Sequence, residues 1–150
     1  MRVRATAVLL GVFGGLLALG FLANMKKEAD PQSPIHWEAN LASALAQASR
    51  ENKTVLLDFY TDWCGWCKKL DRETFTNENV VNMIASNFVA VRLNAEKEGE
   101  DEARRFGVEA YPTVVFVDPK GKEIKRVRGY LGPDAFLQEL KNLKSGADEG

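Results

Sequence analysis

The chain has 150 residues, of which 45% are hydrophobic, and its 20 basic and 21 acidic residues give a net charge of −1. This length fits one domain with one hydrophobic core, and the balanced charge excludes a nucleic-acid footprint or a polybasic membrane patch. The two cysteines of the chain are too few for the disulfide framework that stabilises small secreted domains.

An apolar segment begins the chain. Residues 5–23 are uncharged, follow two arginines and precede two lysines. Their 19 residues, at about 1.5 Å each, match a hydrocarbon core of about 30 Å. We interpret residues 1–25 as a signal anchor or, alternatively, as a cleaved signal peptide. Both interpretations place the rest of the chain on the periplasmic side, either anchored in the inner membrane or secreted.

The rest of the chain predicts one domain between polar ends. Residues 26–34 are polar, contain two prolines and are predicted to be a linker. The domain is expected over residues 35–145, with a polar tail over 146–150. It begins with a short strand over 35–37 and a helix over 38–51 that the spacing of apolar residues predicts.

Apolar runs and helical periodicities alternate further along the chain. They predict strands over 54–60, 88–93, 113–117 and 124–129, and helices over 68–73, from 77 onward, over 96–106 and from 133 onward. A break near 74–77 separates the first two of these helices, and the turn over 118–121 suits an antiparallel hairpin. The order β-α-β-α-β-α-β-β-α predicts an α/β domain whose central mixed β-sheet is flanked by helices.

The two cysteines lie in the stretch FYTDWCGWCKK, between a predicted buried strand and a predicted helix. Helix amides at that junction stabilise a thiolate, and a thiolate is the nucleophile of disulfide exchange. Cys64 is therefore the candidate nucleophile. Cys67, one turn along the same helix, is the candidate resolving thiol that breaks the mixed disulfide, and we expect it to be the more buried of the two.

Two other interpretations of the cysteines remain open. A structural zinc ion needs four ligands, whereas the chain offers two thiols and His36, so a zinc site would have to be shared between chains. The cysteines could also be inert core thiols. No cofactor or metal is otherwise implied.

Asp58 interrupts the apolar run TVLLDFY. Burial disfavours the charged form of a carboxyl group, so an acid at this position can donate or accept a proton near neutral pH. The alternative is an aspartate at a strand edge that faces water.

The segment VLLDFYTDWCGWCKK, with YPT, a hairpin and a terminal helix downstream, resembles the thioredoxin superfamily over about residues 35–145. The longer stretch CKKLDRETFTNENV is similar to the extracytoplasmic thioredoxin-like domains related to the C-terminal domain of the thiol:disulfide interchange protein DsbD. This resemblance implies an exposed nucleophile at Cys64, a resolving thiol at Cys67 and proton exchange between Cys67 and Asp58. It also implies a cis-proline at Pro112, although X-Pro bonds are more often trans.

Four further residues are candidates for substrate binding. Trp63 and Trp66 flank the first cysteine, Tyr111 precedes Pro112, and Gly129 would let a substrate backbone approach closely. Tyr111 could equally pack in the core, and Gly129 could be an ordinary strand-end glycine. The lysines at 68–69 either support the thiolate by their charge or are merely solvated.

These observations predict a monomeric, extracytoplasmic thiol:disulfide oxidoreductase that reduces protein disulfides through its CGWC dithiol. The chain has no second cysteine pair, so it needs an upstream redox partner such as a membrane electron-transfer protein. A disulfide oxidase or isomerase, and a thioredoxin-fold binding module without catalysis, are the alternatives. The residues between the cysteines influence the reduction potential, and their sequence does not give its value.

Overall fold

The computed structural model of the protein describes residues 33–148. The interpretation of residues 1–25 as an anchor or signal peptide therefore lies outside the described residues. Between residues 33 and 148, none of the helices has the length and apolar character that crossing a membrane requires.

Five strands and five helices form the described part of the chain. The strands are β1 (Trp37–Glu38), β2 (Thr54–Tyr60), β3 (Phe88–Asn94), β4 (Thr113–Val117) and β5 (Glu123–Arg128), and the helices are α1 (Leu41–Glu51), α2 (Gly65–Lys69), α3 (Glu78–Asn87), α4 (Glu100–Arg105) and α5 (Pro133–Asp148). One sheet has the strand order β1-β3-β2-β4-β5. Strands β1, β2 and β3 run parallel, while β4 is antiparallel to both β2 and β5. The predicted α/β fold with parallel strands first and a hairpin last is confirmed.

The core lies on both faces of the sheet because the central strand β2 is buried on both sides. Successive strand residues point to opposite faces. Leu56 packs with Phe136 and Leu140 of α5, whereas Leu57 packs with Ala44 and other small residues of α1. Asp58 shares the face of Leu56, which is also the face that α3 and α5 cover.

Helix α1 begins later than predicted, because the residues before it have other partners. Glu38 belongs to β1, where it pairs with Val91 of β3. Asn40 then caps the helix, with its side-chain oxygen accepting a hydrogen bond from the Ser43 amide at 2.8 Å. A side-chain cap of this kind satisfies an amide that lacks an intrahelical partner.

The helix after the cysteines is interrupted, as predicted near residues 74–77. Helix α2 begins at Gly65, directly after Cys64, and continues into a π-helical turn over Leu70–Thr74. A new helix, α3, then begins at Glu78 with Asn77 as its cap.

The helix predicted over 96–106 is wrong in its first part, since α4 begins at Glu100. The amides of Lys97 and Gly99 both donate to the Asn94 carbonyl, at 3.1 and 2.9 Å, and so form tight turns. A Cβ atom at Gly99 would lie 2.6 Å from the Leu93 Cβ atom. The chain therefore needs a glycine at this turn, and the helix starts after it.

Candidate redox site

Cys64 and Cys67 form a disulfide bond at the start of α2. Cys64 is the N-terminal cap of the helix, and its sulfur accepts a hydrogen bond from the Cys67 amide at 3.1 Å. Both residues are buried, with exposed fractions of 3% and 2%. Cys64 is thus buried in this disulfide form, whereas the family resemblance implies an exposed nucleophile.

Asp58 lies in the middle of β2 and is 1% exposed. Asp58 therefore does not face water, as the alternative interpretation would require. One carboxylate oxygen, Oδ1, has no hydrogen-bond partner within the described structure, and Oδ2 lies 3.2 Å from the Arg92 Nε atom. Burial raises the pKa of Asp58 to about 7, and this effect outweighs the opposing charge of Arg92. The carboxyl group can therefore exchange a proton near neutral pH.

Arg92 is a site residue that the sequence interpretation missed. It pairs with Asp58 in the parallel register of β2 and β3, and its guanidinium donates to Asp71 at 2.7 Å. The same group lies 4.3 Å from the centre of the Tyr60 ring. Arg92 could have been identified from the sequence, because it is a charged residue within the apolar run FVAVRLN. Asp58 was identified in the same way, as a charged residue within an apolar strand.

The loop before β4 contains a cis peptide bond between Tyr111 and Pro112. The Pro112 carbonyl accepts a hydrogen bond from the Gly129 amide at 2.8 Å, which joins this loop to the end of β5. Gly129 has φ = +79°, a backbone conformation that favours glycine. Half-buried Tyr111 packs against the core and also meets the Trp63 ring edge-on at 6.1 Å.

Trp63 and Trp66 are 66% and 59% exposed. The indole nitrogen of Trp63 donates to both carboxylate oxygens of Glu96, each at 3.0 Å. The Trp66 ring lies 5.7 Å from the ring of Tyr130, another residue that the sequence interpretation missed. Each tryptophan is thus held by a side chain that is distant in the sequence.

The two lysines after Cys67 and the histidine differ in their environments. Lys69 lies over the rings of Trp66 and Tyr130, whereas Lys68 is exposed. The imidazole of His36 is 79% exposed and lies 3.3 Å from Glu38. Among residues 33–148, no group of three or more histidine, cysteine or acidic residues could hold a metal ion.

Residues 41–144 match the family model of the thioredoxin-like domain. The chain is 37% identical over 107 residues to the thiol:disulfide interchange protein DsbD of Yersinia enterocolitica, an alignment that covers 69% of this chain and 18% of that protein. DsbD of Pseudoalteromonas atlantica is 35% identical over 104 residues, which cover 66% of this chain and 17% of that one. The chain therefore spans less than a fifth of the length of these relatives.

Solved structures of thioredoxin-like proteins are also similar to this chain. A thioredoxin from Thermus thermophilus is 28% identical with a TM-score of 0.69, and the match covers 78% of this chain and 94% of that one. The reduced form of the DsbD C-terminal domain of Neisseria meningitidis is 27% identical with a TM-score of 0.57, and the match covers 68% of this chain and 92% of that domain. The similarity thus extends over nearly all of that C-terminal domain.

Proposed function

The chain belongs to the family of thioredoxin-like domains, and from this premise we propose that it is a thiol:disulfide oxidoreductase that reduces protein disulfides outside the cytoplasm. The observation that carries the proposal is the Cys64–Cys67 disulfide at the start of α2, where the Cys67 amide donates to the Cys64 sulfur. In the reduced protein this hydrogen bond favours a thiolate at Cys64 over a thiol.

The proposed reaction starts from the reduced dithiol. The Cys64 thiolate attacks one sulfur of the substrate disulfide, that disulfide breaks, and the substrate's other sulfur leaves as a thiolate. Cys67 then transfers its proton to the Asp58 carboxylate and attacks the Cys64 sulfur. The Cys64–Cys67 bond forms, the substrate's remaining sulfur leaves, and two electrons have passed from the dithiol to the substrate.

We assign substrate binding to the residues around the two cysteines. The loop at Pro112 would pair with the substrate backbone, and Gly129 would let that backbone approach closely. Trp63, Trp66 and Tyr111 would cover the segments on either side of the substrate cysteine. The Gly129 amide donates to the Pro112 carbonyl, and this hydrogen bond holds the two backbones next to each other. Exposed aromatic rings beside a reactive group commonly bind a partner.

The proposed direction of electron flow follows from the resemblance to DsbD, and the proposed location follows from the apolar run at the start of the chain. Both relatives described above are named thiol:disulfide interchange proteins, and the apolar run over residues 5–23 would export or anchor the domain. An upstream redox partner, such as a membrane electron-transfer protein, would re-reduce Cys64 and Cys67. The domain would act as a monomer.

Trapping in cells tests the mechanism. Cys67→Ala removes the resolving thiol, so we expect a mixed disulfide through Cys64 that accumulates on a non-reducing gel and identifies the substrate by mass spectrometry. The matched control Cys64→Ser/Cys67→Ala should trap nothing. Absence of any adduct through Cys64 would contradict the mechanism.

The direction of electron flow needs a separate measurement. Titration of the purified domain against glutathione buffers should give a reduction potential near the reducing end of the thioredoxin superfamily, about −270 mV. A potential near about −120 mV would instead support an oxidase and would reject the proposed direction.

A further inference from the structure

Asn94, the last residue of β3, is a buried polar residue that the proposed reaction does not use. It is 2% exposed and pairs with Tyr60 of β2 in the parallel register. Its backbone carbonyl accepts hydrogen bonds from the amides of Lys97 and Gly99 in the turn after β3. Any residue could supply that carbonyl, so the side chain of Asn94 needs a separate explanation.

The side chain of Asn94 connects the turn after β3 with the residues before Cys64. Its Nδ2 atom donates to the Asp62 Oδ1 atom at 2.9 Å, and its Oδ1 atom accepts from the Glu96 amide at 3.0 Å. The carboxylate of Glu96 in turn accepts the indole N–H of Trp63. Asn94 therefore holds both residues that precede the nucleophile, one directly and one through Glu96.

The Asp62 carboxylate has a second partner in the same turn. Its Oδ2 atom lies 2.6 Å from the Lys97 Nζ atom. The hydrogen bond from Lys97 is the main reason why the pKa of Asp62 lies below its ordinary value, and the positive charge of Lys68 in α2 acts in the same direction. Asp62 is thus a carboxylate whose charge is compensated by the turn after β3 and by α2.

The charge of Asp62 matters because Cys64 follows it by two positions. The Cys64 amide donates to the Thr61 carbonyl at 3.3 Å, so the intervening residues form a tight turn before α2. A negative charge near a thiol favours the protonated form and opposes the effect of the helix amides. A carboxylate that is held against a lysine opposes the thiolate less than a free carboxylate does.

We propose that Asn94 is a positioning residue for the redox reaction, because it holds the Asp62 carboxylate against Lys97 and so maintains Cys64 as a thiolate. This inference rests on the proposed function, and it adds a residue of β3 to those that control the nucleophile. Asn94 acts through Asp62 and takes no part in proton or electron transfer.

Ultraviolet titration of the Cys64 thiolate tests the inference. Cys67→Ala leaves Cys64 as the single thiol of the chain, and full-length Cys64→Ser/Cys67→Ala supplies the background absorbance of the tyrosines. Addition of Asn94→Ala to Cys67→Ala releases the Asp62 carboxylate from one of its two partners. The midpoint of the titration should then rise by about one pH unit.

The first step of the reaction should slow as well. Attack of Cys64 on bis(2-hydroxyethyl) disulfide breaks that disulfide, forms a mixed disulfide and releases one molecule of 2-mercaptoethanol, which is measured. Below both midpoints the thiolate population falls about tenfold, while its greater nucleophilicity compensates about threefold. The second-order rate constant should therefore fall about threefold in Asn94→Ala.

A double-mutant cycle shows whether Asn94 acts through Asp62. In the Asp62→Ala background, Asn94→Ala should move the midpoint by less than about 0.3 pH units, since no carboxylate is left to position. Lys97→Ala alone should raise the midpoint as Asn94→Ala does. The matched control Lys120→Ala removes an exposed lysine in the turn between β4 and β5 and should leave the midpoint unchanged.

Two results would overturn the inference. One is a loss of stability in Asn94→Ala without a change of the midpoint, which indicates a role in folding alone. The other is an equal rise of the midpoint with and without Asp62. If Asn94→Ala does not fold, Asn94→Ser takes its place, and an unchanged midpoint in that variant overturns the inference equally.

Failure of the proposed function is a separate outcome. If the reduced wild-type protein does not reduce bis(2-hydroxyethyl) disulfide, the proposed function fails. The role of Asn94 is then decided by the thiolate midpoints, because the titration does not depend on turnover.

Discussion

At the residue scale, the Asp58 carboxyl group is defined by burial and by its contact with Arg92. The carboxyl group is almost fully removed from water, and one of its oxygens has no hydrogen-bond partner in the described structure. Arg92 favours the ionised form but is shared with Asp71, which lies 2.7 Å from the guanidinium. Burial prevails, and the pKa of Asp58 rises to about 7. Burial of this carboxyl group therefore lowers the stability of the folded protein at high pH.

Asp58→Asn should make the oxidised protein more stable at pH 8 than the wild type. The carboxyl group has a pKa near 3.9 in an unfolded chain and about 7 in the folded one. The folded state thus favours the protonated form, and the wild type loses stability as the pH rises from about 4 through 7. An amide cannot ionise and avoids this loss, so the gain at pH 8 should be roughly 4 kcal/mol, for a difference of about 3 pKa units at about 1.4 kcal/mol each.

Urea unfolding of both proteins at pH 4, 6 and 8 measures this difference. The stability gap between Asp58→Asn and wild type should shrink to less than about 1 kcal/mol at pH 4, where the carboxyl group is protonated in the folded state and only about half ionised in the unfolded state. Glu109→Gln, which neutralises an exposed carboxylate, should show no comparable trend. A gap that is the same at all three pH values would argue against a buried titrating group at Asp58.

At the element scale, the segment after Cys67 shows how a helix can be divided without a proline. The π-helical turn over Leu70–Thr74 ends at Phe75, whose amide donates to the Leu70 carbonyl at 3.0 Å. Asn77 then has an extended backbone, and its side chain starts a new helix. The interruption places Glu73 and Thr74 where they contact the segment after β5.

Asn77→Ala should lower the free energy of unfolding by about 1 kcal/mol. The Asn77 Oδ1 atom accepts hydrogen bonds from the amides of Asn79 and Val80 at 3.1 and 3.3 Å, and alanine leaves both amides without this partner. Asn82→Ala is the matched control, because Asn82 is exposed in the middle of the same helix, where alanine is a better helix former. Urea denaturation of the two variants should give opposite signs, and equal losses would contradict the capping role.

At the scale of the whole molecule, two apolar layers enclose the sheet and hold the redox site at one edge. The cysteines follow β2, the cis-proline loop leads into β4, and Gly129 ends β5. These three neighbouring strands belong to one sheet. The site therefore lies at the ends of these three strands, and α3 and α5 cover the face of the sheet that carries Asp58.

Phe136→Ala should destabilise the whole domain by about 3–5 kcal/mol. The Phe136 ring is fully buried and meets the Phe75 ring edge-on at 5.6 Å, so its removal leaves a cavity between α5 and the π-helical turn. Phe136→Leu should cost less, and Lys141→Ala on the exposed side of α5 should change stability by less than about 0.5 kcal/mol. The measurement is urea unfolding, and a loss below about 1 kcal/mol for Phe136→Ala would exclude α5 from the main core.

The order of helices and strands was readable from the sequence, because periodicity and turn residues are local properties. The bounds of β2 and β4 agree with the prediction, and the break before α3 was expected. The starts of α1 and α4 differ from the prediction. The residues before α1 pair with a distant strand, and those before α4 form turns around Asn94. Such competing partners do not appear in a local pattern.

The sequence by itself determined the CGWC pair, the acid in the apolar strand and the resemblance that pointed to Pro112 as a cis-proline, because each is a matter of residue type and spacing along the chain. The tertiary structure alone decided that Arg92 meets Asp58, that Glu96 holds Trp63 and that Tyr130 lies against Trp66. These partners are separated by 33 to 64 residues. Folding brings them together through the strand order and the burial of the two apolar layers, and no periodicity along the chain encodes such contacts.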